Sequence, residues 1–275
     1  DGNTISDYEP EEVKRQTSVQ TSVIPCVWNN NKLNVLDTPG YADFFGEVKA
    51  GVGVADAAVV VVAAPSGVEV GTEILWTDLE EQSLPRIIFI NKMDRDNADF
   101  ARCLHSIQAT LGKKCVAIQS AVGAQDSFMG VIDLIQPLDT LDAEVEILRE
   151  QLIESVAECD DQLTTKYLEE ETLTLEELGW GLKKGILEGS IVPVLVGSAA
   201  RGIGVEQLMD FVVSYLPSPI EAPAVRTLES SGGGVEIAVS ADGSLAASVF
   251  KTSADPFVGK LSYFRVYSGT FKSNS

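Results

Sequence analysis

Three short motifs hold side chains of the type that could read a nucleotide. The first is Asn91, Lys92, Met93 and Asp94 (N-K-M-D), directly after the apolar run RIIFI at 86–90. A carboxylate at Asp94 can accept two hydrogen bonds from guanine, at its ring N–H and its exocyclic amine; adenine offers neither donor there. Leaving a buried carboxylate unpaired is costly, so such a site rejects the wrong base by roughly 10⁴-fold or more. Asn91 would tie neighbouring loops together and approach the base, while the Lys92 stem would pack along the base plane. The second motif is Asp37, Thr38, Pro39 and Gly40 (D-T-P-G). An Asp there can hold Mg²⁺, often through water, because the ion keeps much of its hydration shell. Gly40 lets the backbone approach a phosphate and donate its N–H. Alone, D-T-P-G also fits a plain turn. The third motif is Gly197, Ser198 and Ala199, after IVPVLV at 191–196. The Ala199 N–H can donate to the guanine carbonyl. This signal is weak by itself. What is specific is the ordered set, each member at the carboxyl end of its own predicted strand, where open α/β sheets bind ligands.

The elements that must position these residues are legible as alternating patterns. Residues 22–28 and 32–37 read as strands joined by a turn at Asn29, Asn30 and Asn31. The continuous apolar runs at 56–64 and 86–90 fit strands of a parallel sheet buried on both faces. Residues 68–82 and 97–111 have helical length and patterning between them. This β-α-β-α alternation predicts a doubly wound α/β fold. Residues 191–196 form a further strand, which Pro193, unable to donate to a ladder, places at a sheet edge. Residues 128–135 read as strand or hairpin. Val145, Leu148, Leu152 and Val156 recur at helical steps within 142–160. A second helix is expected over 175–187, with Thr174 and Glu177 as its capping box. The proline-rich stretch 216–223 reads as a linker. Strand-like segments at 245–252 and 259–267 then look like the start of a β-domain.

Composition narrows the class. Across 275 residues the apolar fraction is 45% and the charged fraction 22%, as in ordinary globular proteins. No apolar run reaches the roughly 18 residues of a membrane helix, and no signal peptide is visible. The net charge of −21 argues against gripping nucleic acid through phosphate neutralisation. Cys26, Cys103, Cys115 and Cys159 lie far apart with a single histidine, His105, so zinc is not expected and buried thiols in a reducing cytoplasm are. Between 139 and 188 there are 15 Asp/Glu against 4 Lys/Arg. A solvated helical face explains that count; so does a docking surface for a basic partner.

These residues together resemble the translational GTPases, and most closely elongation factor G in its variant form. DYEPEEVKR at 7–15 is similar to the first switch and DTPGYADF at 37–44 to the second. The 54 positions from Asp37 to Asn91 also fit. The long gap from Asp94 to Ser198 holds what looks like that family's insertion in the G domain. ADPFVGK at 254–260 with RVYSG at 265–269 is similar to the opening of its second, β-barrel domain. The resemblance implies a G domain at 1–222, with an insertion at about 120–190, and a partial β-barrel domain at 223–275. It implies GTP and Mg²⁺ as cofactors. GTP would be bound by Asp37, Thr38, Pro39, Gly40, Tyr41, Asn91, Lys92, Met93, Asp94, Ser198 and Ala199. The metal would be held by Ser18 and, through water, Asp37. It further implies a cytoplasmic monomer that hydrolyses GTP on the ribosome, meets rRNA and stalk proteins, and moves tRNA and mRNA indirectly.

The sequence departs from that family in three places. The phosphate loop G-x-x-x-x-G-K-[ST] is absent, with its backbone amides and lysine. The chain begins at Asp1, just after where the family carries that loop, and truncation is the simplest explanation. The accompanying strand would lie between 32–37 and 56–64, so either a gap or direct pairing of those two is expected. The family's histidine after D-T-P-G is Tyr41 here. A histidine there orients the attacking water; a tyrosine, with pKa near 10, is a poor base. Tyr41 either positions water differently or packs inertly in the switch. The switch threonine aligns with Ser18, which keeps the hydroxyl, with Thr17 as the adjacent alternative.

Overall fold

A computed structural model describes residues 4–137, 142–169, 171–222, 225–228, 234–255 and 259–273. Two compact units emerge, one of residues 57–216 and one of residues 1–56 with 217–275. The first stretch of the latter opens with helix α1 (Pro10–Arg15), strands β1 (Ser22–Trp28) and β2 (Asn31–Asp37), and helix α2 (Phe45–Val52). β1 and β2 pair antiparallel with Trp28 opposite Asn31. The turn is thus two residues, not three. Asn29 and Asn30 have φ of 44° and 62°, the left-handed pair that matches strand twist in a tight hairpin and that asparagine tolerates.

The larger unit is built on strands β3 (Ala58–Ala63), β4 (Arg86–Asn91), β5 (Cys115–Ala117) and β8 (Val192–Val196), all parallel, in the order β3-β4-β8-β5. Helices α3 (Val70–Glu81) and α4 (Phe100–Leu111) link the first strands, as the alternation predicts. β8 is buried throughout and β4 up to its last residue, Asn91, which is half-buried; Ile87, Ile88, Ile90, Val194, Leu195 and Val196 are at 0% exposure. The burial on both faces expected of residues 56–64 needs correction: β3, the edge strand, buries Val60 and Val62 on one face but leaves Val59 and Val61 exposed on the other. Of the two outcomes expected for β2 and β3, a gap or direct pairing, direct pairing is not formed among the described residues, where β2 pairs with β1.

Pro193 lies not in an edge strand but in β8, between β4 and β5. The ladder geometry explains how. The Val192 N–H donates to Lys114 O, on the β5 side, and the Gly197 N–H donates to Ile90 O, on the β4 side. Alternation therefore aims the Pro193 nitrogen toward β4, where pairing begins only at Val194 opposite Ile88. The missing donor falls just before that ladder starts. Where β5 has ended, the Gln119 side chain takes over and accepts from Val196 N at 3.2 Å.

Between β5 and β8 the chain adds an antiparallel pair, β6 (Gln119–Val122) with β7 (Gly130–Asp133), and helices α5 (Ala143–Ala157), α6 (Asp161–Leu168) and α7 (Leu175–Glu188). α5 buries Val145, Leu152 and Val156, with Leu148 half-buried. The Thr174–Glu177 capping box forms at the start of α7. α7 approaches its neighbours through glycines. A Cβ at Gly181 would stand 2.6 Å from Val156 Cγ1, and one at Gly185 2.8 Å from Cys159 Sγ. Trp180 on the same helix is exposed, whereas Trp76 on α3 is buried and stacks under Arg86 at 4.3 Å. Helix α8 (Val205–Tyr215) closes this unit.

The second stretch of the smaller unit contributes β9 (Val225–Leu228) with β10 (Gly234–Ile237), and β11 (Ala246–Asp255) with β12 (Gly259–Ser268), both pairs antiparallel. Pro223 of the linker and residues 256–258 of the A-D-P-F-V-G-K segment lie outside the described residues. Cys103 and Cys115 are buried thiols; burial pushes them up to about 11 and about 12. Among the described residues no helix is long and apolar enough to cross a membrane.

Candidate functional site

The carboxyl ends of β4 and β8 lie side by side, because the strands are parallel neighbours. Asn91 is the last residue of β4 and Ser198 stands two residues past β8. The Asn91 Oδ1 accepts from its neighbour's Lys92 N–H at 2.7 Å and from the Ala199 N–H at 2.9 Å. One amide side chain therefore holds both loops, as expected of Asn91. The Ala199 N–H is thereby occupied by Asn91. Lys92 is exposed, in the left-handed region with φ of 64°. Met93 is fully buried; its N–H donates to Gly197 O at 3.2 Å and its carbonyl accepts from Gln125 N at 2.7 Å.

Asp94 follows with its side chain 11% exposed. Its Oδ1 accepts from the Ser198 hydroxyl at 2.5 Å. That bond, aided by the nearby Arg95 and Arg201, holds the carboxyl below its usual 3.8, so it is an ionised acceptor at neutral pH. Ser198 is at 0% exposure and its Oγ also accepts from Arg201 N at 3.2 Å, capping the turn Ala199–Arg201. Arg95 Nε stands 3.7 Å from Asp94 Oδ2, with a side chain 66% exposed. This solvent-facing partner does not neutralise the carboxylate as a buried one would. Gly197 is required where it stands: a Cβ there would lie 2.4 Å from Ile203 O and 2.7 Å from the Phe89 ring.

Sequence reasoning missed Arg201. Its guanidinium donates to Phe128 O at 3.1 Å and reaches Asp126 O at 3.4 Å, so it clamps the β6–β7 connection to the turn behind Ser198. It also stands 3.9 Å from the Asp126 carboxylate; its closest partners are backbone carbonyls, which no sequence pattern marks.

The D-T-P-G segment and Ser18 belong to the smaller unit. Asp37 ends β2 opposite Ser22. Thr38 packs on α2, where a Cβ at Gly51 would come within 3.0 Å of its methyl. Pro39 is buried. Gly40 is exposed, with nothing within 4 Å of an added Cβ, which leaves its backbone approachable. Tyr41 is 62% exposed and precedes the turn Ala42–Phe44, with its carbonyl accepting from Phe44 N at 3.0 Å. It is therefore not packed inside the switch. Ser18 is half-buried and its hydroxyl donates to Asp7 Oδ1 at 2.7 Å. Thr17 donates its N–H to Glu12 O at 3.2 Å. His105 is exposed on α4.

The donor chemistry suits a guanine nucleotide at the base end: an ionised acceptor, a long alkyl stem beside it and a glycine-braced loop. Among the described residues no three carboxylate, histidine or cysteine side chains cluster as a metal cage. Mg²⁺ uses one or two protein oxygens plus phosphates and water, so it does not require such a cage.

The family model described as the elongation factor Tu GTP binding domain matches residues 1–218. A solved structure from Thermus thermophilus, described as the crystal structure of ttk003000868, is similar at 32% identity and a TM-score of 0.82. The match covers 98% of this chain and 40% of that one, so the chain spans well under half of that relative's length.

Proposed function

Because the chain belongs to the family of the elongation factor Tu GTP binding domain, we propose that it reads guanine nucleotides within a translation factor similar to elongation factor G. The observation that carries this reading is the Asp94–Ser198 bond beside Asn91, which bridges the two loops. Asp94 accepts from the base and Lys92 lies along it, while Asn91 holds the Ala199 loop beside the guanine carbonyl. Met93 anchors the loop from the core. Ser18 and Asp37 would hold Mg²⁺, which when bound offsets phosphate charge. Thr38 and Pro39 fix the loop, and Gly40 donates its N–H toward the third phosphate. Tyr41 orients water by its hydroxyl rather than by accepting a proton.

In this reading residues 1–222 are the G domain, with the insertion near 120–190, and 223–275 open a β-barrel domain. The intact protein is a cytoplasmic, monomeric GTPase that works on the ribosome to move tRNA and mRNA. The 275 residues contain no G-x-x-x-x-G-K-[ST], so they bind GTP weakly by themselves. Micromolar binding in a calorimetric titration of residues 1–275 contradicts that.

The exposed Tyr41 in place of the family's histidine favours one second reading, a ribosome-binding regulator that does not hydrolyse GTP. Single-turnover hydrolysis by the full-length protein, with and without ribosomes, separates the two. Stimulation by ribosomes supports the GTPase; its absence supports the regulator.

A further inference from the structure

The loop that presents Ser18 is held by groups remote in sequence, all within the smaller unit. Glu12 is 1% exposed, and its Oε1 accepts from Val19 N at 2.9 Å and Gln20 N at 3.1 Å, while Oε2 accepts from Glu9 N at 3.2 Å. The next residue, Thr21, is also 1% exposed and is gripped on three sides. Its N–H donates to Glu47 Oε2 at 2.9 Å and its hydroxyl to Glu47 O at 3.1 Å. Its carbonyl accepts from Lys251 Nζ at 2.5 Å. Glu47 lies on α2, just after the D-T-P-G-Y segment. Lys251 lies on β11 and is 8% exposed, which is rare for lysine without a specific partner. A register shift between Val249 and Lys251 re-aims the strand there, as bulges do. The same hairpin grips the chain again through Arg265, which binds Val54 O and Asp56.

We propose that Lys251 is a positioning residue for the loop of Ser18, gripping Thr21 from the β11–β12 hairpin while Glu47 grips it from the helix after D-T-P-G-Y. The β11–β12 hairpin, the loop after the first switch-like segment and the helix after the second thus meet at one residue, Thr21. A buried ammonium and a half-buried carboxylate act on opposite polar groups of the buried Thr21, so loss of either leaves a backbone group of Thr21 without its partner. This inference rests on the reading of Ser18 as a metal-binding residue. Movement of the β-region would then change metal grip without touching base recognition at Asp94.

The test uses the full-length protein and residue-resolved hydrogen exchange. Lys251→Met is expected to speed exchange at Val19, Gln20 and Thr21 by at least tenfold, with Ile88 and Val194 unchanged. Lys251→Arg restores much of the protection, Glu47→Gln speeds the same three amides, and exposed Lys260→Met changes none. In the guanine-nucleotide complex, Lys251→Met raises the Mg²⁺ concentration for half-saturation severalfold and leaves guanine-over-adenine preference intact. Unchanged exchange at the three amides, exchange raised uniformly across the chain, or an unaltered Mg²⁺ requirement overturns the proposal. The exchange readout needs no nucleotide, so its failure is distinct from a failure of guanine binding by the unsubstituted protein.

Discussion

Asp94 and Ser198 act as a couple. The hydroxyl lowers the carboxyl's pKa, so the folded state gains stability from the ionised form. That gain is present above the unfolded carboxyl pKa and is lost as pH falls through the lower folded value. Ser198→Ala removes the donor and uncaps the turn, at a cost of about 1–2 kcal/mol at pH 7. The difference from the unsubstituted protein shrinks in acid, as thermal melts from pH 7 down to pH 3 will show. Asp94→Asn swaps an acceptor for a donor and lowers guanine-nucleotide affinity of the full-length protein by roughly 10²-fold or more, measured by fluorescence titration. The N-K-M-D and D-T-P-G motifs suggest their chemistry by residue type and order alone, and the hydrogen bonds of Asn91 and Asp94 are what the structure adds. The Asn91–Ala199 contact was only half legible: the loop-tying role of Asn91 follows from its type, while the choice of partner amide depends on two loops that approach across 108 positions.

The insertion helices show which features of an element a sequence declares. The Thr174–Glu177 box was readable because both partners sit within one turn. The packing of α7 was not, because Gly181 and Gly185 gain their meaning only from Val156, Leu163 and Cys159 on the facing chain. Gly181→Ala should gain helix propensity of about 1 kcal/mol yet lose about 1–3 kcal/mol to overpacking. Urea denaturation should therefore find it no more stable and, where α5 cannot shift, less stable. Lys166 donates to both Glu177 oxygens at 2.9 and 2.8 Å and holds that carboxyl down at about 2. Stability from this contact is full above the ordinary 4.5 and fades as pH drops toward 2. Carbon-detected NMR should find the Glu177 midpoint near 2, rising toward 4.5 in Lys166→Met. Pro193 was misplaced at an edge because the rule concerns one N–H, and only the stagger of the two ladders says which neighbour that N–H would face. The short α6 and β5 carried too few residues for a periodicity to register.

At the scale of the whole molecule, the doubly wound core followed from alternating apolar runs and helical patterns, which depend on burial alone. The edge character of β3, with Val59 and Val61 exposed, did not, since an apolar run looks the same whether or not a neighbour covers it. The way residues 217–275 group with residues 1–56 was equally invisible; Lys251 meeting Thr21 spans 230 positions. The central claim is that this fold reads guanine through Asp94. Its most direct test is competition of GDP and ADP against a fluorescent guanine nucleotide on the full-length protein, beside Asp94→Asn. GDP should displace the probe at least 10³-fold more effectively than ADP, and the preference should collapse in the variant. Equal displacement by the two nucleotides, or a preference untouched by Asp94→Asn, would contradict it.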